Sequence, residues 1–504
     1  MNKISKEIDM GSDPLSMTAL IEKFRECKTA AEEREFINKE RSIIRNNIKN
    51  WGPAHKAEAI LKLIWINMLG HETEFAQVEC MNALFIENFQ LKVMAYLGLT
   101  IFLSEKSEVL MMATNRIRID LEDTDNDFVV ALALRTFSEI ADRNMTTDLF
   151  PNIQRLMNSS SKYIRKKAII ACIRILKKHP ELIDQMEDKL PNLLNDRNQG
   201  LLLCSLQLAT EIIRIKPALK SIFRENLQSL YSILKNLQND GNYNYSVNGV
   251  NDPFLQCAIL SLAQELVTGS PELASDFGSN ILIVFNGLSY NKSPTAKCLL
   301  YQCARSIMSI DSTHALKKMG VTILGDFLDA QNLNHQYTAL RMLLYISQKF
   351  KDEVKRYDRT IQKYARDPDF SIQKIAIQIL SNVTDKTNVE ETFAIFLELI
   401  KRDKRKELFI ICMNLMKQNA LSLVWFEEKV LTLLTAIGSN VDSKQLTSFY
   451  DILSSYPALQ LAMVYRCATN GKIDRHTCWA IGEFCGNIIR ASRGRERSNH
   501  QNSG

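Results

Sequence analysis

The sequence is poor in helix breakers and lacks the short motifs of common catalytic centres. Its 504 residues include only 18 Gly and 11 Pro, an economy that favours many helices joined by short turns. No stretch has the GxxxxGK[ST], GxGxxG, GxSxG or HExxH pattern, so nucleotide, hydrolase and zincin chemistry have no support. We therefore expect no catalytic site, no enzymatic activity and no cofactor.

Paired metal ligands are also missing. The 11 Cys include no CxxC pair and mostly have apolar neighbours, and the 7 His occur singly. This pattern predicts reduced core cysteines of a cytosolic protein and no metal site.

Long hydrophobic runs are absent. The most apolar stretches, LGLTIFL at 97–103 and ILIVFNGL at 281–288, are much shorter than the roughly 20 residues of a membrane-spanning helix. The first residues, MNKISKEIDMGSDP, have no apolar core, which argues against a signal peptide. The 63 basic and 57 acidic side chains nearly balance, so nucleic acid is not an expected partner. Any membrane contact is expected to be peripheral.

The chain does contain a long internal repeat. Apolar residues recur at i, i+3, i+4 and i+7, as in AILKLIWINML at 59–69, which predicts amphipathic helices. Small residues recur in similar helical contexts every 35 to 41 residues, with one interval of 53: Ala95, Ala133, Ala168, Ser205, Ala258, Cys298, Ala339 and Ala376. A small side chain once per unit lets neighbouring helix pairs approach closely. The sequence therefore predicts an all-α, curved α-solenoid of HEAT or armadillo-like helix pairs.

The boundaries follow from composition. Residues 1–14 are predicted to be an N-terminal extension, 15–490 the solenoid trunk, and 491–504 a disordered polar tail. The Gly- and Asn-rich stretch at 239–252 is predicted to be an exposed loop that explains the long interval. Five prolines are expected at first turns or connections: Pro53, Pro151, Pro180, Pro253 and Pro368.

Four stretches together resemble the gamma-adaptin family of clathrin adaptor large subunits: AEEREFINKERSIIR at 31–45, SSKYIRKKAIIACIRILKKHPEL at 160–182, NDPFLQCAIL at 251–260 and CWAIGEF at 478–484. The resemblance implies a scaffold that assembles with beta-adaptin, mu and sigma subunits on trans-Golgi network and endosomal membranes. Its expected role is the sorting of cargo tails with acidic dileucine signals into coated vesicles. Family members commonly continue through a hinge with clathrin-binding motifs into an ear domain, and this sequence stops after its trunk. Clathrin is therefore expected to be contacted only indirectly, through the beta subunit, or else by residues that this sequence does not include.

The resemblance also implies sites. In EKFRECK, Arg25 matches the position that attracts the acidic residue of the cargo signal, a role that suits a guanidinium. Val78, Met81 and Met112 match positions that contact an Arf-family GTPase. For each residue a plainer interpretation stays open: Arg25 as an ordinary surface residue, and the three apolar residues as core.

A fourth site is implied by a sparse basic group. Arg41, Arg45, Lys49 and Lys56 match the region that recognises phosphatidylinositol 4-phosphate. Glu40 and Glu58 dilute this group, and the stretch HKAEAILKL is less basic than in related subunits.

Other functions remain open alongside this one. The chain is also compatible with another adaptor or coat large subunit of alpha, delta or epsilon type. A karyopherin-like nuclear transport receptor has the same fold class, but karyopherins are usually acidic, whereas this chain carries a net charge of +6.

Overall fold

The structure is a computed structural model. It describes residues 15–437 except 240–242, 289, 404 and 405, together with residues 460, 482, 485 and 486. The predicted N-terminal extension at 1–14 and the predicted polar tail at 491–504 lie outside the described residues. The chain divides into two compact units, residues 1–302 and 303–504.

The first unit is a series of helices. They are α1 (Met17–Glu26), α2 (Ala30–Asn47), α3 (Pro53–Met68), α4 (Phe75–Leu84), α5 (Phe89–Phe102), α6 (Leu110–Leu121), α7 (Asp127–Ile140), α8 (Arg143–Leu156), α9 (Lys162–Lys178), α10 (Gln199–Ile215), α11 (Lys220–Arg224), α12 (Leu227–Asn239), α13 (Pro253–Val267) and α14 (Pro271–Leu288). Short 3-10 helices lie at Ile48–Asn50, Pro180–Asn192, Pro217–Leu219 and Tyr243–Tyr245. The boundary between the units falls within α15 (Pro294–Ser309).

These helices form two stacked layers. In one layer α3, α5, α7, α9, α10 and α13 each pack against the next, and in the other α4 packs on α6, α6 on α8, and α12 on α14. Successive helices also pair, as in α4 with α5, α6 with α7, and α8 with α9. No pair can bury its apolar side alone, and stacking buries it against the neighbouring pairs. The predicted all-α solenoid of helix pairs is confirmed.

The second unit follows the same plan over its described residues. Its helices are α16 (His314–Leu328), α17 (Leu333–Ser347), α18 (Lys351–Lys355), α19 (Asp358–Tyr364), α20 (Phe370–Val383), α21 (Val389–Asp403), α22 (Lys406–Asn419) and α23 (Leu423–Ile437). Helices α17, α20 and α22 stack in sequence, and α16, α19 and α21 pair with them respectively.

Six of the eight predicted small positions are fully or almost fully buried: Ala95, Ala133, Ala168, Ser205, Ala339 and Ala376. The prediction is wrong at Cys298, which is exposed, and Ala258 is only half-buried. In these two helices other alanines, Ala263 of α13 and Ala296 of α15, are completely buried. The helical phase of α13 and α15 therefore differs from the one that a fixed repeat predicts.

Two further predictions need correction. Pro151 lies inside α8 and not at a connection; the helix continues past it with one backbone donor fewer. Residues 244–252 of the predicted loop are mostly exposed, but they contain an antiparallel hairpin that pairs Ser246 with Asn251 and Val247 with Val250. Its turn residues Asn248 and Gly249 have φ of 53° and 77°, the conformation for which an Asn-Gly pair is suited.

Candidate interaction surfaces

Arg25 is an exposed residue of a helix that packs against α2 and α3. It lies in the last turn of α1. Phe24 packs edge-on against Trp65 of α3 with ring centroids 5.1 Å apart, and the backbone N–H of Met17 donates to Glu58 of α3 at 2.8 Å. Arg25 makes no ion pair among the described residues, so its guanidinium is available to a ligand.

Two charged side chains are buried beneath this helix. Lys62 of α3 is completely buried and Glu40 of α2 is nearly so. Burial lowers the pKa of Lys62 and raises the pKa of Glu40, although each charge partly offsets the effect on the other. The amphipathic pattern did not predict these residues, because it assigns charged side chains to the solvent side.

The basic group runs from the second half of α2 into the first turns of α3. Arg41 donates to the Asn38 side-chain oxygen at 3.3 Å, and the Arg45 guanidinium lies over the Phe75 ring at 5.6 Å. Lys49 is exposed and Lys56 is half-buried. Two of the four cations are thus engaged within the chain.

Helix α3 begins between Lys49 and Lys56 in the sequence. Its N-cap is Gly52, which supplies no side-chain oxygen to the first-turn amides. Exposed backbone N–H groups at a helix N-terminus attract anions. The two lysines and these amides are therefore compatible with a phosphate group.

The three apolar residues of the predicted GTPase site separate into two sets. Val78 and Met112 are 49% and 66% exposed, on α4 and α6. Met81 is only 2% exposed, so its assignment to a contact surface is wrong. It lies on the side of α4 that also buries Cys80 and Leu84, where that helix packs against α5.

Two residues that the sequence analysis missed extend this surface. Phe85 follows Val78 by seven residues and is 62% exposed, and Ile119 follows Met112 by seven and is 49% exposed. Positions i and i+7 lie on one side of a helix, and α4 packs against α6. We call Val78, Phe85, Met112 and Ile119 the α4–α6 face. The i+7 spacing was the signal that would have found it.

A buried polar group, the Asp120 cluster, lies beside this face. The carboxylate of Asp120, itself 2% exposed, accepts hydrogen bonds from Tyr96 at 2.5 Å, Arg116 at 2.7 Å and Lys92 at 3.2 Å. Burial and the neighbouring carboxylate together raise the pKa of Tyr96 well above its ordinary value. Arg116 also lies over the Phe85 ring at 5.4 Å. The cluster joins α5 to α6 and contacts the α4–α6 face through the guanidinium of Arg116.

A cavity of about 540 Å³ opens next to the cluster. Its lining includes the aromatic rings of Phe85 and Phe89, the Asp120 cluster residues Lys92 and Arg116, and the carboxylates of Glu87, Glu122 and Asp123. Within the described part of the chain, no group of three or more His, Cys, Asp or Glu is arranged to hold a metal ion. None of the described helices combines the length and apolarity that crossing a bilayer requires.

These features define a class of protein: a helical repeat protein whose distinctive surface groups are exposed apolar and charged side chains. The chain belongs to the adaptin N-terminal region family, whose sequence pattern matches residues 33–500. It is 32% identical over 485 residues to the AP-1 complex subunit gamma of Dictyostelium discoideum, covering 94% of this chain and 54% of that protein.

Other relatives agree with this assignment. The chain is 30% identical over 486 residues to the AP-1 complex subunit gamma-2 of Arabidopsis thaliana, covering 94% of this chain and 56% of that protein. It thus spans about half the length of the curated relatives it matches. A homology model of the full-length AP-3 complex contains a chain with a TM-score of 0.48 and 19% identity, over 89% of this chain and 82% of that one; this likeness is too distant to bear on the assignment.

Proposed function

We propose that this chain is the trunk of a large subunit of a heterotetrameric clathrin adaptor of the AP-1 gamma type. It acts as an interaction scaffold and not as an enzyme. Its role is to sort cargo with acidic dileucine signals into coated vesicles, at the cytoplasmic side of trans-Golgi network and endosomal membranes. The observation that carries the proposal is the family match over residues 33–500, supported by relatives that are named AP-1 complex subunit gamma.

The proposed assembly contains beta-adaptin, a mu subunit and a sigma subunit. Stacked helix pairs present long continuous surfaces that suit several protein partners at once.

Affinity purification of the tagged chain from its own cells, followed by mass spectrometry, tests this assembly. We expect beta, mu and sigma adaptor subunits in near-equal amounts with the chain. Recovery of nucleoporins without adaptor subunits would contradict the proposal and favour a nuclear transport receptor.

Membrane recruitment would combine two weak contacts. An Arf-family GTPase binds the α4–α6 face through the exposed Val78 and Met112, and not through the buried Met81. Phosphatidylinositol 4-phosphate binds the basic group of Arg41, Arg45, Lys49 and Lys56. Linked weak contacts give stable residence only when they are engaged together, so the scaffold detects a coincidence of GTPase and lipid.

Arg25 is proposed to attract the acidic residue of the cargo signal. We expect Arg25→Glu to weaken binding of an acidic dileucine peptide to the reassembled complex by about fivefold, as for a partly exposed charge pair. Fluorescence anisotropy of the labelled peptide measures the change. Arg34→Glu, at another exposed arginine of the neighbouring helix α2, is the matched control. Equal affinities of the two variants would remove Arg25 from the site.

A further inference from the structure

Three exposed aromatic rings from successive repeats are in contact on the surface of the first unit. Phe89, Phe128 and Tyr163 begin α5, α7 and α9, as the first or second helical residue. The centroids of Phe89 and Phe128 are 6.3 Å apart, and those of Phe128 and Tyr163 are 5.7 Å apart. The three side chains are 46%, 62% and 40% exposed. We call them the aromatic ledge.

An exposed row of this kind indicates a binding surface. Scattered single apolar residues on a protein surface need no explanation, but a continuous patch of large rings costs free energy in water. Aromatic residues are also enriched where proteins bind one another. The ledge is separate from the α4–α6 face in its residues, and the inference does not depend on the proposed adaptor function.

The Phe89 end of the ledge is acidic. Phe89 also lines the cavity of about 540 Å³, together with Glu87, Glu122 and Asp123. The two cations of that cavity, Lys92 and Arg116, are already bound by Asp120. With Asp120 included, the four carboxylates of the lining outnumber these two cations. The net charge at this end is therefore negative, on a chain whose net charge is +6, and it complements a basic partner group.

The Tyr163 end is basic. The Lys167 ammonium lies over the Tyr163 ring at 5.5 Å. Lys162 directly precedes Tyr163 in α9, and Lys166 directly precedes Lys167. At the middle of the ledge, no cation of the described residues lies over Phe128. The aromatic ledge thus has an acidic end at Phe89 and a basic end at Tyr163, and the exposed Phe128 ring lies between them.

The ring spacing matches an extended chain. Alternate side chains of an extended segment point to the same side and lie roughly 6.6 Å apart, close to the two ring separations of 6.3 and 5.7 Å. Side chains at i and i+4 of a helix also lie about 5–6 Å apart, but a helix sets only every fourth residue on the ledge, whereas an extended segment sets every second one there. The carboxylates at the Phe89 end disfavour a membrane rich in anionic lipid, because like charges repel.

We propose that the aromatic ledge docks an extended segment of a partner protein, with alternate apolar side chains on the three rings and its Lys or Arg side chains at the Phe89 end. The apolar contacts supply affinity, and the two charged ends fix the direction of the segment.

The test uses the full chain and a defined probe. The probe is a fluorescein-labelled ten-residue peptide with two Lys at one end, alternating Val and Thr in the middle, and one Glu at the other end. We expect the unaltered chain to bind it and Phe128→Ala to weaken binding about tenfold, as for a central interface aromatic. Glu87→Lys, at an exposed cavity carboxylate, is expected to weaken binding about threefold.

The controls separate the ledge from general stickiness. Phe254→Ala removes a 69% exposed aromatic from the start of α13 in the same unit, and we expect it to bind the probe like the unaltered chain. A peptide in which Glu replaces each Lys, and Lys the Glu, should bind at least threefold more weakly. The proposal is overturned by no binding of the probe at millimolar concentration, by equal effects of Phe128→Ala and Phe254→Ala, or by equal binding of both peptides. It is also overturned if Phe128→Ala abolishes binding to phosphatidylserine vesicles but leaves probe binding unchanged.

Discussion

Asp120→Ala is expected to destabilise the first unit by about 3–5 kcal/mol, the usual cost of removing one partner from a buried ionic group. The carboxylate of Asp120 is 2% exposed and accepts hydrogen bonds from Tyr96, Arg116 and Lys92. Truncation to Ala leaves two largely buried cations without their counter-charge and a buried hydroxyl without its acceptor. The loss therefore greatly exceeds that of an ordinary surface ion pair.

Hydrogen exchange of the full chain, followed by mass spectrometry, measures the loss of stability in the two helices that the Asp120 cluster joins. We expect faster exchange in peptides from α5 and α6, together with a lower thermal midpoint. Asp148→Ala is the matched control, because Asp148 also pairs with an arginine of α6, Arg118, at 3.7 Å but is 59% exposed. If both variants exchange alike, the Asp120 cluster does not hold these helices together.

The repeat itself was readable from the sequence because its physical cause is local. Apolar residues at i, i+3, i+4 and i+7 define a buried stripe, and small residues such as Ala133 and Ala168 mark close contact between stacked helices. The sequence pattern did not predict which side of α13 and of α15 is buried. Ala258 and Cys298 sit in helices that follow the hairpin at Ser246–Asn251, and only tertiary packing decides that Ala263 and Ala296 face the neighbours instead.

The candidate sites were predictable only in part, for a related reason. Val78 and Met81 are three residues apart, so a sequence pattern assigns both to roughly one side of α4, and only the packing of α5 decides which one is buried. Charged residues inside the core escape such patterns entirely. Tyr96, which donates a hydrogen bond to Asp120, lies 24 positions before it in the sequence. The spacing of the intervening residues does not indicate that the Asp120 carboxylate is buried.

The α4–α6 face gives the second large effect. We expect the double variant Val78→Glu, Met112→Glu to weaken binding of a GTP-loaded Arf-family GTPase at least thirtyfold, because each substitution places a charge in the centre of an apolar contact. Both side chains are about half or more exposed, so the fold should tolerate the change. Biolayer interferometry with the GTPase held in a non-hydrolysable GTP state measures the affinity, and the reassembled complex is the analyte.

Met68→Glu controls for added charge, since Met68 is 74% exposed at the end of α3 and outside the face. We expect it to bind the GTPase normally. Phe85→Ala tests how far the surface extends. Because Phe85, the residue that follows α4, is exposed as Val78 is, its loss should weaken binding about tenfold. Normal binding by the double variant would exclude this face as the GTPase site. If only the double variant loses binding, the GTPase contact is restricted to Val78 and Met112, and Phe85 belongs only to the cavity beside the Asp120 cluster.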